Sequence, residues 1–239
     1  MLAIAHRAGN SVAGLRRALD AGVDLVEADV RYFRGSPEVR HLKTLGPSLL
    51  WDHPWELVPR RAADLPTLDH VLAALNGAGR LMLDLKGVHP ALALHVARTL
   101  RSTSPDAAIA VCTRRWPMLE AFRRDRAVRL VLSAGSRRQL GQLRVLLRSP
   151  TQIWPGGRRA FGASVKRTLI TPADVADLRH AVEYVMTWPV DAPAELDHAR
   201  RLGVNGVIGK DLTLLGEVLE SRSRNQHSGS AQLPGGQVA

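Results

Sequence analysis

Short apolar runs alternate with longer stretches of helical spacing along most of the chain. The runs Leu2–His6, Leu25–Val30, Leu81–Leu85, Ala108–Cys112, Val128–Leu132, Ser164–Arg167, Val182–Thr187 and Gly206–Gly209 read as buried strands. Between them, Ser11–Ala21, Thr67–Asn76, Pro90–Leu100, Pro117–Arg124, Ser136–Leu147, Pro172–His180, Pro193–Leu202 and Asp211–Leu219 read as helices. Several open on a capping residue or a first-turn proline, as Thr171-Pro172 and Ala192-Pro193 do. A proline there costs nothing, because its missing N–H would have had no partner in the first turn. About eight strand–helix repeats predict a parallel sheet wrapped by helices, closed as a barrel or left open.

Two segments break this rhythm. Tyr32–Leu65 holds no long element and carries Gly35-Ser36, Gly46-Pro47 and Trp51-Asp52-His53-Pro54. It reads as an excursion beyond the second strand, on the face where barrel enzymes build their sites. Ser221–Ala239 is rich in Ser, Gly and Gln with almost no apolar content, so a disordered tail is expected beyond a single domain at 1–220. Trp154–Ala163, ahead of the sixth strand, is glycine-rich and aperiodic.

The polar residues at strand ends follow a rule. Side chains two apart on a strand share a face. Leu25, Glu27 and Asp29 therefore share one face, and Val26, Ala28 and Val30 the other. The second face is small and apolar, suited to packing under helices. Met82, Asp84 and Lys86 repeat the pattern against an all-leucine face, and Leu2 and Ile4 lead to His6. Three strands thus carry their polar groups late and on one face. In a barrel that face points inward and the strand ends converge on one mouth. Three carboxylates gathered there repel one another, and burial raises the cost. A hard divalent cation relieves it, and all-oxygen ligation points to Mg²⁺ or Ca²⁺. Cations at the rim, the metal with Arg7 and Lys86, suit a phosphate group. Each piece alone has an ordinary structural reading, a salt-bridged strand end or a local Asp–Lys pair. A structural account of the whole needs three separate buried-charge arrangements at one barrel end.

Composition narrows the class further. The formal charge of +11 is nearly all arginine, scattered in ones and twos, and the only lysines are Lys43, Lys86, Lys166 and Lys210. Nucleic-acid binders concentrate charge and interleave aromatics for stacking, which this chain does not do. The basic balance would attract an anionic substrate or an acidic surface, and is permissive of either without being diagnostic. No apolar run is long enough for stable membrane insertion. The apolar start Met1–Ala5 is too short for a signal-peptide core. The single cysteine, Cys112, leaves neither an internal disulfide nor a cysteine-built metal site, and fits a cytoplasmic protein. Nothing in the sequence marks an oligomer interface.

Specific motifs carry a resemblance. Ala5-His6-Arg7-Ala8-Gly9, Ala21-Gly22-Val23-Asp24, Glu27-Ala28-Asp29-Val30, His41 after a short hairpin, Pro66-Thr67-Leu68 and Asp84-Leu85-Lys86 keep the order and spacing of glycerophosphodiester phosphodiesterases. Met186-Thr187-Trp188 and Gly203-Val204-Asn205-Gly206 match late segments of that family. The likeness spans about residues 2–215 and resembles the family most over the first ninety positions. It implies a (β/α)8 TIM barrel and metal-dependent hydrolysis of a small-molecule phosphodiester to glycerol 3-phosphate and an alcohol. It further implies Glu27, Asp29 and Asp84 as ligands of Mg²⁺ or Ca²⁺, with Arg7, Lys86 and Trp188 on the substrate. His6 and His41 become the general acid and base. The sequence departs from the family pattern at Ala8, where a glycine is usual, at Asp84, where a Glu is usual, and at Leu42, where an Asp follows the second histidine.

Other readings compete. A lysophospholipase D-like phosphodiesterase is a close variant. A non-catalytic barrel binding phosphate or an anionic membrane is kept alive by Ala8 and Asp84, but has no need of two histidines. A sugar-phosphate isomerase or aldolase would need Lys86 as a nucleophilic amine, and neighbouring Asp84 should hold its pKa up instead. His70, His95, His180 and His198 fall in expected helices and His89 at a helix start. His53 is a loop histidine that would come second to His41.

Overall fold

The computed structural model describes residues 1–52, 56–148 and 159–230, with backbone only for 225–230. The strands are β1 (Leu2–Ala5), β2 (Leu25–Phe33), β3 (Ser36–Val39), β4 (Lys43–Leu45), β5 (Leu49–Asp52) and β6 (Glu56–Pro59). They continue as β7 (Leu81–Leu85), β8 (Ala110–Thr113), β9 (Arg129–Ala134), β10 (Gly162–Lys166), β11 (Tyr184–Trp188) and β12 (Gly206–Gly209). The helices are α1 (Val12–Asp20), α2 (Leu68–Ala74), α3 (Pro90–Thr103), α4 (Arg137–Arg148), α5 (Pro172–Arg179), α6 (Pro193–Leu202) and α7 (Leu212–Ser230).

Eight parallel strands, in the order β1-β2-β7-β8-β9-β10-β11-β12, close on themselves through pairing of β12 with β1. The alternation expected from sequence decides the two cores. Val26, Ala28, Val30, Leu81, Leu83 and Leu85 face out and pack with the helices. Ile4, Leu25, Met82, Ala110, Cys112, Val131, Met186 and Ile208 face in and plug the barrel. Met186 fits because its neighbouring strands present Gly162 and Gly206, where any Cβ would collide with its side chain. The glycine at the start of the sixth barrel strand thus makes room for the Met186 methyl. Caps fall as expected: Ser11, Thr67 and Thr171 each accept a backbone N–H in the first turn, and Thr171 completes a capping box with Asp174.

Three regions differ from expectation. The helix expected at Pro117–Arg124 is a 3₁₀ helix, Trp116–Phe122, whose three-residue turn puts buried Leu119 and Phe122 on one side. In the excursion, β2 overshoots the barrel and turns back through Arg34 and Gly35, both at positive φ, into antiparallel β3. Three short strands, β4, β5 and β6, then form a separate antiparallel sheet. Buried Arg40 fastens this region, bonding Glu38, the Leu42 carbonyl and Thr44. The expected tail does not begin at Ser221: α7 continues to Ser230, and Arg222 bonds both oxygens of Asp24 at 2.9 Å. That polar anchor is invisible to an argument from apolar content. Positions 231–239, His53 and Trp154 lie outside the described residues. No helix among the described residues is long and apolar enough to cross a membrane.

Candidate active site

The inward faces of β1, β2 and β7 deliver their polar groups to the same end of the barrel. His6, Arg7, Glu27, His41, Asp84, Lys86, Arg114 and Trp188 line one cavity of about 100 Å³, floored by Met82 and Ile208. One ligand oxygen each from Glu27, Asp29 and Asp84 lies within 4.8 Å of the others. All eight side chains singled out from sequence therefore meet at one site.

The turn after β1 is built tightly. Arg7 takes the left-handed conformation, φ 58°, which costs a residue with a Cβ about 1 kcal/mol or more. Its N–H donates to Glu27 Oε2 at 2.6 Å, which repays the strain and orients the carboxylate. Ala8 then enters a short 3₁₀ turn, so the residue that replaces the usual glycine is not the one at positive φ. Gly9 follows, and a Cβ there would stand 2.7 Å from the Cβ of Ala28. Only glycine lets this turn lie against β2.

Asp29 is the hub. Its side chain is fully buried; Oδ2 accepts from Asn10 Nδ2 at 3.0 Å and meets His41 Nδ1 at 2.9 Å. Oδ1 is paired with the Lys86 ammonium at 2.9 Å but has no aligned hydrogen-bond donor. Burial would raise Asp29, yet His41 and Lys86 overcome it and hold the carboxyl far below its usual range. Burial, then the charge of Asp29, pushes Glu27 well above the carboxylate range. Burial also raises Asp84, against the pull of Lys86, with which it is directly paired. For Lys86, burial works toward the neutral amine, but Asp84, Asp29 and Glu27 outweigh it and raise the pKa. That is the wrong direction for a Schiff-base nucleophile.

The two histidines differ. Burial, then Arg7, lowers His6 to about 4, and its Nδ1 is buried with no hydrogen-bond partner. His41 is bracketed by carboxylates, with Nδ1 on Asp29 and Nε2 3.3 Å from Asp52. Its carbonyl accepts from Arg31 Nε at 2.9 Å. At the rim, the Arg114 guanidinium lies 5.0 Å above the Trp188 ring.

The donor set suits a hard cation. Three carboxylates converge, two are pushed toward protonation when no metal offsets them, and a buried Asp29 oxygen lacks an aligned donor. All-oxygen ligands of this kind suit a divalent cation.

Sequence reasoning missed Asn10, Asp52, Arg114, Ser133 and Ser164. Asn10 also accepts the Asp29 N–H at 2.7 Å. Ser133 and Ser164 line the cavity, and Ser133 could have been found, since Val131 and Ser133 repeat the apolar-then-polar inward pattern. Asn10, Asp52 and Arg114 stand on loops or at a distant sheet end, where no periodicity marks them.

No family model matches the chain, and no curated protein matches it. Solved structures do. A putative glycerophosphoryl diester phosphodiesterase from Silicibacter pomeroyi superposes with a TM-score of 0.70 at 18% identity, over 93% of this chain and 94% of that one. An Oleispira antarctica phosphodiesterase, in complex with the product sn-glycerol-3-phosphate, gives 0.68 at 15% identity, over 92% and 97%. A glycerophosphodiester phosphodiesterase from Parabacteroides distasonis gives 0.67 at 20% identity, over 92% and 97%. The class of protein is a (β/α)8 barrel with an acidic cluster at the strand ends. Within that class, the fold is the one found in glycerophosphodiester phosphodiesterases.

Proposed function

We propose that this chain hydrolyses glycerophosphodiesters to glycerol 3-phosphate and an alcohol. The observation that carries the reading is the meeting of two imidazoles, two phosphate-seeking cations and a three-carboxylate cluster in one cavity. Binding alone would need the cations but not the pair of histidines. The glycerol 3-phosphate bound by the Oleispira antarctica protein supports a ligand of that chemistry on this fold.

Glu27, Asp29 and Asp84 would hold Mg²⁺ or Ca²⁺, which when bound polarises a phosphate oxygen and offsets developing negative charge. Arg7 and Lys86 neutralise the remaining phosphate oxygens; the planar guanidinium of Arg7 suits a forked pair of hydrogen bonds. His6, held uncharged at neutral pH by its surroundings, is in the form that accepts a proton from the attacking hydroxyl, water or a neighbouring substrate hydroxyl. His41, oriented by Asp29 and Asp52, donates a proton to the departing alcohol. Trp188 offers an apolar plane for the glycerol carbons. The lone buried Cys112 fits a cytoplasmic setting.

The test is release of glycerol 3-phosphate from glycerophosphocholine, with Mg²⁺, Ca²⁺ or chelator, for the native protein, His6→Ala and His41→Ala. Activity that needs both histidines and a divalent ion supports the reading. Phosphodiester binding with no turnover under any ion refutes it in favour of a binding barrel.

A further inference from the structure

The barrel strands end at the mouth in two unlike halves. Side chains two apart share a face, so the inward run continues from Cys112 to Arg114, from Ser164 to Lys166 and from Ile208 to Lys210. Lys166 ends β10 and is the register partner of Trp188; Arg114 and Lys210 directly follow β8 and β12. The carboxylates Glu27, Asp29 and Asp84 all stand on β2 and β7. The half built by β8, β10, β11 and β12 instead ends in three cations and Trp188. The choice of lysine is itself informative. Of 33 Lys and Arg in the chain only four are lysines, and Lys86, Lys166 and Lys210 are three of them. Charges spread only for solubility have no reason to gather lysine on three strand ends of one mouth.

These cations are positioned without being neutralised. The Arg114 guanidinium lies 5.0 Å over the Trp188 ring and packs against Gly135, where a Cβ would stand 2.9 Å from its Cζ. Gln139 accepts the Gly135 N–H at 2.9 Å, which fixes that stretch of backbone. Two carboxylates stand on the same rim. Glu195 is engaged by Arg167 and by the Asp191 N–H, and Asp191 accepts the backbone N–H of Lys210 at 2.6 Å. Among the described residues, no carboxylate is ion-paired with Arg114, Lys166 or Lys210. Three side-chain cations against the one carboxylate of Asp191 leave this half of the mouth positive. The charge of Lys210 reaches His6 and that of Arg114 reaches Asp84, so both stand beside the cavity.

The bridging phosphate of a diester carries one negative charge, and Arg7 and Lys86 already meet it. Cations left over on the far side of the mouth suit a second anion. They oppose a cationic alcohol. The Trp188 face beneath Arg114, where a quaternary ammonium could have stacked, already carries a guanidinium. We propose that Arg114, Lys166 and Lys210 form a second anion subsite, and that the preferred substrate is a glycerophosphodiester bearing a further phosphate. The subsite rests on the strand ends; the substrate assignment rests on the hydrolysis proposed above.

The probes are glycerophosphoglycerol phosphate, glycerophosphoglycerol, which lacks the terminal phosphate, and glycerophosphocholine. Loss of each diester is followed with Mg²⁺ or Ca²⁺ for the native chain and for Lys166→Gln/Lys210→Gln. Binding of each is measured by calorimetry with both chains carrying His6→Ala, so that turnover does not interfere. Native kcat/KM should be highest for the phosphate-bearing diester and lowest for glycerophosphocholine. The double variant should cut the ratio of the first two substrates about tenfold, and added salt should shrink the native ratio. A merely structural role lowers all three substrates together and leaves the ratio unchanged, which overturns the subsite. A native preference for glycerophosphocholine overturns it too. Should the double variant melt well below native, exposed Lys210→Gln alone carries the test, with a fall in ratio of about threefold. Phosphate-dependent binding that the variant loses, with no diester cleaved by the native chain under either ion, upholds the subsite and refutes the hydrolase reading. Cleavage with an unaltered ratio upholds hydrolysis and refutes the subsite.

Discussion

Glu27→Gln separates the site's chemistry from its architecture. Oε2 of Glu27 accepts the Arg7 N–H at 2.6 Å, and a glutamine carbonyl accepts the same bond, so the strained turn keeps its anchor. What changes is charge. Carboxylate oxygens within 4.8 Å of one another repel by at least about 3.5 kcal/mol per charged pair at an effective dielectric of about 20. Lys86 offsets part of this, and protonation of Glu27 relieves more, as its raised pKa indicates. In chelator the variant should therefore be as stable as the native protein or up to about 2 kcal/mol more stable, a rise of a few degrees in melting temperature. Divalent cation reverses the order. Ligand at about a thousand times its Kd adds about 4 kcal/mol, roughly 8–16 °C for a domain of this size. The native protein should show that rise, and the variant should lose most of it along with turnover. Thermal melts in EDTA, Mg²⁺ and Ca²⁺ read both effects. A variant melting well below native in chelator, or rising equally with metal, would refute the electrostatic account.

His6 has a folded value of about 4 against an ordinary 6.5, so the unfolded chain binds more protons between them. Its contribution is complete above pH 6.5 and is lost as pH falls toward 4, by up to about 3 kcal/mol; His6→Gln should remove that slope from urea titrations run at pH 7 and 4.5. Gly9→Ala forces a Cβ to 2.7 Å from Ala28, which should cost about 1–3 kcal/mol and lower the melting temperature by several degrees, with turnover falling as the Arg7 turn shifts; an unchanged melt would show that the turn yields freely. Asp52→Asn takes one charge from His41 but leaves the phosphate-binding groups, so kcat should fall by about 10- to 100-fold with KM nearly constant; a change confined to KM would place Asp52 in substrate binding instead.

How much of this was legible without coordinates follows from the range of each signal. Alternation along a strand is local, so Glu27, Asp29, Asp84 and His6 could be assigned to inward faces, and Val26, Ala28 and Val30 to the outward one. The parallel strand–helix repeat then brings those strand ends together, which is why the carboxylate cluster was readable in advance. Caps at Ser11, Thr67 and Thr171 are local too. The sequence motifs also pointed to His41, but its carboxylate partners come through space, Asp29 from the barrel and Asp52 from a separate sheet eleven residues further on. Neither pairing leaves a periodic trace. Arg114 above Trp188 and the continuation of α7 under Arg222 and Asp24 share that origin. The chain by itself determined which faces are apolar and which strands end in charge, because those depend on side-chain spacing of two residues. Only the tertiary structure decided which loops close over the barrel mouth, because loop partners depend on contacts between distant residues.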